Sequence, residues 1–274
     1  LFVSEHARSA DLDPARIRVV VTLPTFRRPE HLVMTLDSLQ AQAFGDEVAV
    51  VIMDNDAEGL QGAIAAADWL AGSRLKGIAI IAHQRGNCHA YNAGWETALA
   101  EFPRLTHIAV IDDDEIAGPN WLSGLMTTAV KTGADLVGGP QIPVFADKAL
   151  DGWRRHPVFT PHYQTSGIVP ILYSSGNVLI SRPVLDMMPK PYLDPAFNLI
   201  GGGDSDFYRR AKARGFSFGW SAEAAVMETL PSRRAEFSWL NARSLRNGAI
   251  SAILEKRQWP GIPGRARTLI KSLA

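Results

Sequence analysis

The chain has 274 residues, enough for one large α/β domain with a substantial core. Its 28 basic and 28 acidic residues cancel to a formal net charge of zero, which argues against a nucleic-acid-binding surface taken as a whole. Hydrophobic residues at 46 % and charged residues at 20 % give a globular balance, and no apolar run approaches the roughly 20 residues that span a bilayer.

The opening LFVSEHARSA has no charged segment followed by an apolar stretch, so it does not read as a signal peptide. Ile17–Leu23 is a short β-branched run that predicts a first strand. Pro29 suits a first helical position, and Leu32, Val33, Leu36 and Leu39 give the spacing of a helix face. Val48–Met53 predicts a second strand, and a helix follows over about 60–71. Ile78–Ala82 predicts a third strand. The single cysteine, Cys88, excludes an internal disulfide and fits a reducing compartment. A helix is expected over Ala90–Phe102, a fourth strand at His107–Ile111, a helix from about Pro119 to Lys131, and a fifth strand at Leu136–Val137.

Near-continuous apolar strands separated by helices predict a mostly parallel sheet covered on both faces. Ligands of such sheets bind beyond the carboxyl ends of the strands. Pro24-Thr25, Asp54-Asn55 and Asp112-Asp113-Asp114 all follow strands, so these polar groups should gather along one edge.

The texture then changes. Pro140–Pro170 is rich in Pro, His and aromatic residues and reads as loop, with room for an edge strand. Val178–Ile180 and Phe216–Trp220 are strand-like, and Asp204–Arg214 is helical. From Asn241 onward Arg243, Arg246, Lys256, Arg257, Arg265, Arg267 and Lys271 face one acid, Glu255, with apolar residues among them. This basic amphipathic tail fits an anionic membrane surface, or a solvated helix packed on the core. With no linker or repeat, one domain is expected over 1–274.

The sharpest chemical feature is Asp112-Asp113-Asp114-Glu115 at a strand end. Adjacent carboxylates repel, and near a buried strand they call for a cation. Mg²⁺ and Mn²⁺ take oxygen ligands, typically one or two carboxylates plus substrate phosphates. A solvated acidic turn or first helical turn would show the same residues. Gly201-Gly202-Gly203-Asp204-Ser205-Asp206 lets backbone approach a ligand and starts a helix, and an Asp there can cap it or act as general base. Arg85-Gly86-Asn87 can touch a diphosphate or cap the next helix. Dinucleotide and Walker-type glycine loops and a nucleophile elbow are missing from the sequence.

Together these residues resemble the family 2 glycosyltransferases, which have the GT-A fold. Val19–Arg28 (VVVTLPTFRR) resembles that family's opening, and Val50–Asn55 its second-strand element. Asn87 through Asn92 to Gly94 resembles its N-x-x-x-A-x-N-x-G stretch. Ile111–Glu115 followed by Pro119-Asn120-Trp121-Leu122 resembles its DxD element and what comes after. Ser175-Gly176-Asn177 and Gly202–Phe207 complete the series, which covers residues 17–250.

The resemblance implies an α/β GT-A fold, Rossmann-like, with a nucleotide-binding half at 17–140, an acceptor-binding half at 141–240 and the tail at 241–274. It implies an inverting transfer of one sugar from a nucleotide-diphosphate donor, UDP-sugar favoured, with Mn²⁺ or Mg²⁺. Pro24, Thr25, Arg27, Asp54, Asn55, Asn87, Asn92, Asp112 and Asp113 are expected at the donor nucleotide. Asp114 is expected to bind the metal, with Glu228 as a further ligand. Asp204 matches the family's catalytic Asp, and Gly202, Gly203 and Asp206 are expected near the acceptor. Gly203 stands where the family usually has Glu, which leaves open a sugar-nucleotide-binding protein of the same fold with little catalysis. The expected setting is bacterial surface or exopolysaccharide assembly on a lipid-linked saccharide or glycolipid. Its place would be cytoplasmic, with peripheral contact at the inner face of the membrane.

Overall fold

The computed structural model describes residues 2–42, 45 and 47–273. The expected domain limits at 1 and 274, and the Lys271 side chain, lie outside the described residues.

The chain opens with strand β1 (Val3–Arg8), then β2 (Val19–Thr25), α1 (Pro29–Gln40), β3 (Val48–Asp54), α2 (Gln61–Gly72), β4 (Lys76–Ala82), α3 (Asn87–Glu101) and β5 (His107–Ile111). It continues through β6 (Glu115–Ala117), α4 (Trp121–Thr132), β7 (Leu136–Gly138), β8 (Gln141–Phe145), β9 (Gly167–Val169), β10 (Asn177–Ser181) and α5 (Arg182–Met187). Then follow α6 (Gly203–Ala213), β11 (Phe218–Trp220), β12 (Val226–Leu230), α7 (Phe237–Gln258) and α8 (Ile262–Leu273).

A nine-stranded sheet runs β1-β4-β3-β2-β5-β10-β7-β11-β9. β4, β3, β2 and β5 pair in parallel, and β7 and β11, across the reversed strand β10, return to the same direction. The expected mostly parallel α/β sheet is therefore present, with β1, β9 and β10 running against it.

Strand alternation sends side chains to two cores. Val20, Val51 and Met53 pack with Tyr91, Trp95, Phe207 and Tyr208 of α3 and α6. Val19, Val21, Leu23, Val50 and Ile52 pack with Leu32, Leu36 and Leu39 of α1 and with Trp121 and Leu125 of α4. All seven residues of β2 are buried, which is why the run reads as apolar on both faces.

The strands not anticipated are the polar ones. β1 (VSEHAR) is an exposed edge strand that needs only a backbone partner, supplied by β4. β6 and β12 form, with β8, a separate three-stranded sheet, ordered β6-β12-β8. β8 and β9 fall in the segment expected to be loop, β9 at the edge of the large sheet.

Asn177 ties these parts together. Fully buried, its Oδ1 accepts from Trp121 Nε1 at 2.8 Å, and its Nδ2 donates to Ala224 O at 2.8 Å and Pro140 O at 3.1 Å. Asn177→Ala strands three buried polar partners, so urea unfolding should show a loss of about 2–4 kcal/mol.

Candidate active site

The site grows from the carboxyl end of β5. β2 and β5 lie side by side, so Thr25 at the end of β2 meets the acidic turn after β5. Thr25 Oγ1 donates to Asp113 Oδ2 at 2.8 Å, and Arg28 bridges Asp113 Oδ1 at 3.0 Å and Asp114 Oδ2 at 2.8 Å. Beneath them Tyr91 donates its hydroxyl to Asp112, while Glu115 takes the Asp112 amide at 2.9 Å and the Gln141 amide. β12 places Glu228 directly opposite Glu115, and Thr229 N bonds Asp114 O at 2.8 Å.

Five carboxylates thus share one small volume. Burial, reinforced by Asp114 and Asp113, pushes Asp112 up to about 7 despite its bond from Tyr91. Burial likewise holds Glu115 well above the usual carboxylate range, with Asp112 adding to it. Asp113 and Glu228 are raised by burial even though Arg28 and Arg234 pull the other way. The cluster is short of positive charge.

An open cavity of about 390 Å³ lies above it, lined by Pro24, Thr25, Phe26, Arg28, Asn55, Arg85, Asn87, Asp112, Asp113 and Asp114. Arg85 lies over the Phe26 ring at 4.9 Å. A second cavity, about 240 Å³, holds Asp204, Glu228, Arg234, Arg243, His162 and Tyr173. A further open pocket is lined by Arg28 and Asp114 from the first cavity and by Leu230 and Arg234 from the second, so the two cavities adjoin beside the acidic turn.

Asp204 opens α6. Its Oδ1 accepts the Ser205 amide at 2.7 Å, and burial raises its carboxyl above the ordinary aspartate value of 3.8. Just before it, Gly202 adopts φ 91°, a conformation suited to glycine.

The model of "Glycosyl transferase family 2" matches residues 20–187. The succinoglycan biosynthesis protein ExoM of Rhizobium meliloti (strain 1021) is 30 % identical over 237 residues, covering 85 % of this chain and 73 % of that protein. The chain belongs to glycosyl transferase family 2. Solved structures share its fold. The mannosyltransferase PcManGT from Pyrobaculum calidifontis, in complex with GDP-Man and Mn²⁺, superposes with TM-score 0.58 at 18 % identity, covering 93 % of this chain and 69 % of that one. S. aureus TarS 1–349 in complex with UDP gives TM-score 0.57 at 14 % identity, covering 87 % and 64 %. The chain thus spans less than two thirds of that TarS chain. The fold is GT-A, as the sequence implied.

Within this family 2 chain, Pro24, Thr25, Asn55, Asn87, Asp112 and Asp113, expected at the donor nucleotide, and Asp114, expected at the metal, all line the first cavity. Asn55 spends its side chain on the cavity wall, donating to Ala82 O and Gln84 O and accepting from Gly86 N. Other placements depart from expectation. Asp54 has no exposed atom, and its oxygens accept the amides of Ala63 at 2.7 Å and Asp56 at 3.0 Å, anchoring the start of α2. Asn92 is equally buried and clamps Leu193 through N–H and C=O. Arg27 sits at φ 55° and turns away to pair with Asp56 at 2.8 Å, leaving Arg28 to reach the acidic turn.

Of the residues expected near the acceptor, Gly202 and Gly203 are packing positions. A Cβ at Gly202 would lie 2.5 Å from Ile250 Cγ2, and one at Gly203 2.8 Å from Cys88 Sγ. Asp206 is buried and held by Arg210 at 2.6 Å and Arg257 at 3.4 Å, one helix face away from Asp204. Glu228 lies in the second cavity, bound to Arg234 at 2.5 Å. Sequence reasoning did not single out Phe26, Arg28 or Tyr91, whereas Arg234 and Arg243 end Pro231–Arg234 and Trp239–Arg243, stretches that resemble the P-x-x-R and WL-x-x-R of bacterial polysaccharide-assembly members. Tyr91 carries a helical signal, since it falls one turn after Asn87 and so shares its face.

Among the described residues, no three His, Cys, Asp or Glu side chains converge as a closed metal site. A hard divalent ion held by one or two carboxylates plus substrate phosphates needs no such triad, and the oxygens of Asp114 and Glu228 beside a cation-poor cluster fit it.

The sulfur at Cys88 occupies the space where a side chain at position 203 would begin. Gly203→Ala should therefore cost about 1–3 kcal/mol in chemical denaturation. In a Cys88→Ala background the same change should cost less, a coupling that a double-mutant cycle reads directly.

Proposed function

We propose that the chain is an inverting, metal-dependent glycosyltransferase. It moves one sugar from a nucleotide-diphosphate donor, a UDP-sugar first, to a hydroxyl of a lipid-linked saccharide in bacterial surface polysaccharide synthesis. One observation carries the reading: Asp204, raised by burial, faces a cavity that adjoins the one bounded by Asp113 and Asp114. Donor and acceptor then have separate chambers, with the base in the second.

In this reading the nucleotide lies along Pro24, Thr25 and Phe26, and its diphosphate lies toward Arg28 and Arg85. A divalent cation held by Asp114 and Glu228 would neutralise charge on the departing diphosphate. Asp204 takes the proton from the acceptor hydroxyl, whose oxygen attacks the anomeric carbon as the bond to the diphosphate breaks. A single displacement inverts that centre. The relatives support a nucleotide-sugar donor, since TarS was solved with UDP and with UDP-GlcNAc, and PcManGT holds GDP-Man. The name of ExoM supports the polysaccharide setting.

The tail supports membrane contact. Phe237, Leu245, Ile262, Leu269 and Ile270 are exposed on α7 and α8 beside Arg246, Arg265 and Arg267. Among the described residues no helix is long and apolar enough to cross a membrane, so the contact proposed is peripheral, from the cytoplasmic side.

Calorimetry with UDP should show binding strengthened by Mn²⁺ in the wild type and lost in Asp114→Ala; a guanosine diphosphate arm tests the choice of base. Asp204→Asn should leave donor binding intact and lower turnover by about 10²–10⁴-fold. Unchanged turnover would sink the assignment of the base and favour a binding protein.

The base works ionised and its carboxyl is raised, so activity should fall as pH drops through a value above 3.8. A pH profile of kcat/KM whose acid limb sits at or below that value contradicts this. Sedimentation with anionic vesicles should capture the protein at low salt and release it as salt rises, while neutral vesicles should not capture it.

A further inference from the structure

The cavity around Asp204 contains a cation that the transfer chemistry does not use. Arg243 projects from α7 into it, its guanidinium over the ring of Trp239 one turn earlier at 5.2 Å. Its Nε is buried and has no hydrogen-bond partner among the described residues. The other arginine of the cavity, Arg234, is already bound to Glu228 at 2.5 Å. Asp204 receives its bond from the Ser205 amide. A guanidinium donor left bare inside a cleft costs free energy unless a ligand completes it.

We infer that Arg243 is the anchor for an oxyanion on the acceptor, a phosphate or carboxylate carried near the hydroxyl that receives the sugar. The inference rests on reading the Asp204 cavity as the acceptor chamber. Geometry selects the acceptor over the donor: Arg243 lines the Asp204 cavity, whereas Arg28 and Arg85 line the chamber that holds Asp113 and Asp114. Chemistry selects an oxyanion. The planar fork of arginine presents paired N–H donors that match two oxygens of one group, and the Trp239 ring beneath the guanidinium holds it in the cavity. Burial and the neighbouring Arg246 and Arg234 disfavour the charge on Arg243 and outweigh the attraction of Glu228 and Asp204, so an incoming anion adds to what those two carboxylates supply. Two sources supply such a group, a diphosphate linking the saccharide to its carrier or the carboxylate of an acidic sugar.

The test uses the whole chain as wild type, Arg243→Gln and Arg243→Lys. Inorganic pyrophosphate and glucuronate are titrated by calorimetry, each with and without saturating UDP. At least one should bind the wild type with UDP present, and its Kd should rise at least tenfold in Arg243→Gln. Arg243→Lys should fall between, because it keeps the charge and loses the fork. It also decides the matter if the Gln variant fails to fold. Preference for pyrophosphate assigns a diphosphate-linked acceptor; preference for glucuronate assigns an acidic sugar. The inference is overturned if neither probe binds the wild type, if Arg243→Gln binds as well as wild type, or if UDP displaces the probe. Failure of UDP itself to bind would sink the donor reading alone, since the arm without UDP still reports on Arg243.

Discussion

Five carboxylates at the end of one strand set the terms for everything around them. Asp112, Asp113, Asp114, Glu115 and Glu228 are brought together by the β5 turn and by the pairing of β6 with β12. Repulsion and burial act in the same direction, so the fold spends many groups on offsetting them: Arg28 from the start of α1, the hydroxyls of Thr25 and Tyr91, and the amide of Gln141. Each comes from a different element. The edge of the sheet, the small second sheet and helix α3 are therefore all fixed relative to one acidic turn. Arg28 is the cation that pairs with two of the carboxylates, Asp113 and Asp114.

That constraint also explains the division of labour between the halves. The parallel half, β4-β3-β2-β5, supplies the rigid edge and its polar ends. The second half supplies Asp204 through α6 and encloses it with α7, whose Ile250 packs onto Gly202 and whose Arg243 lines the same cavity as Asp204. The tail is thus part of the wall of the site as well as a basic outer surface.

Much of this was legible in the sequence because the parallel strands are buried on both faces. His107–Ile111 was read with its observed limits, and Pro29 marked the start of α1. Residues whose role depends on direction were not legible. Asp54 and Asn92 sit in the right segments, yet both face inward, because an Asx side chain that caps a helix and one that meets a ligand leave the same trace in a sequence. Arg27 and Arg28 are adjacent and alike, and only the left-handed turn at Arg27 decides which reaches the acids. β1 and β12 carry too few apolar residues for alternation to show. Arg243 was legible as the end of the Trp239–Arg243 stretch and as a charge in a basic tail; the packing of α7 across the cavity gives it a place.

Cys88 fills the position that an acidic side chain at residue 203 would need, and the consequence reaches its own reactivity. Only 3 % exposed, it lies against the start of α6, and burial with the nearby Asp204 and Asp194 pushes its thiol up to about 12. At neutral pH almost none of it is thiolate, so alkylating reagents and peroxide should meet an inert sulfur while α3 and α6 stay together. As the chain has one cysteine, the rate at which it is alkylated becomes a clock for the separation of those two helices, and so for the opening of the floor beneath Asp204.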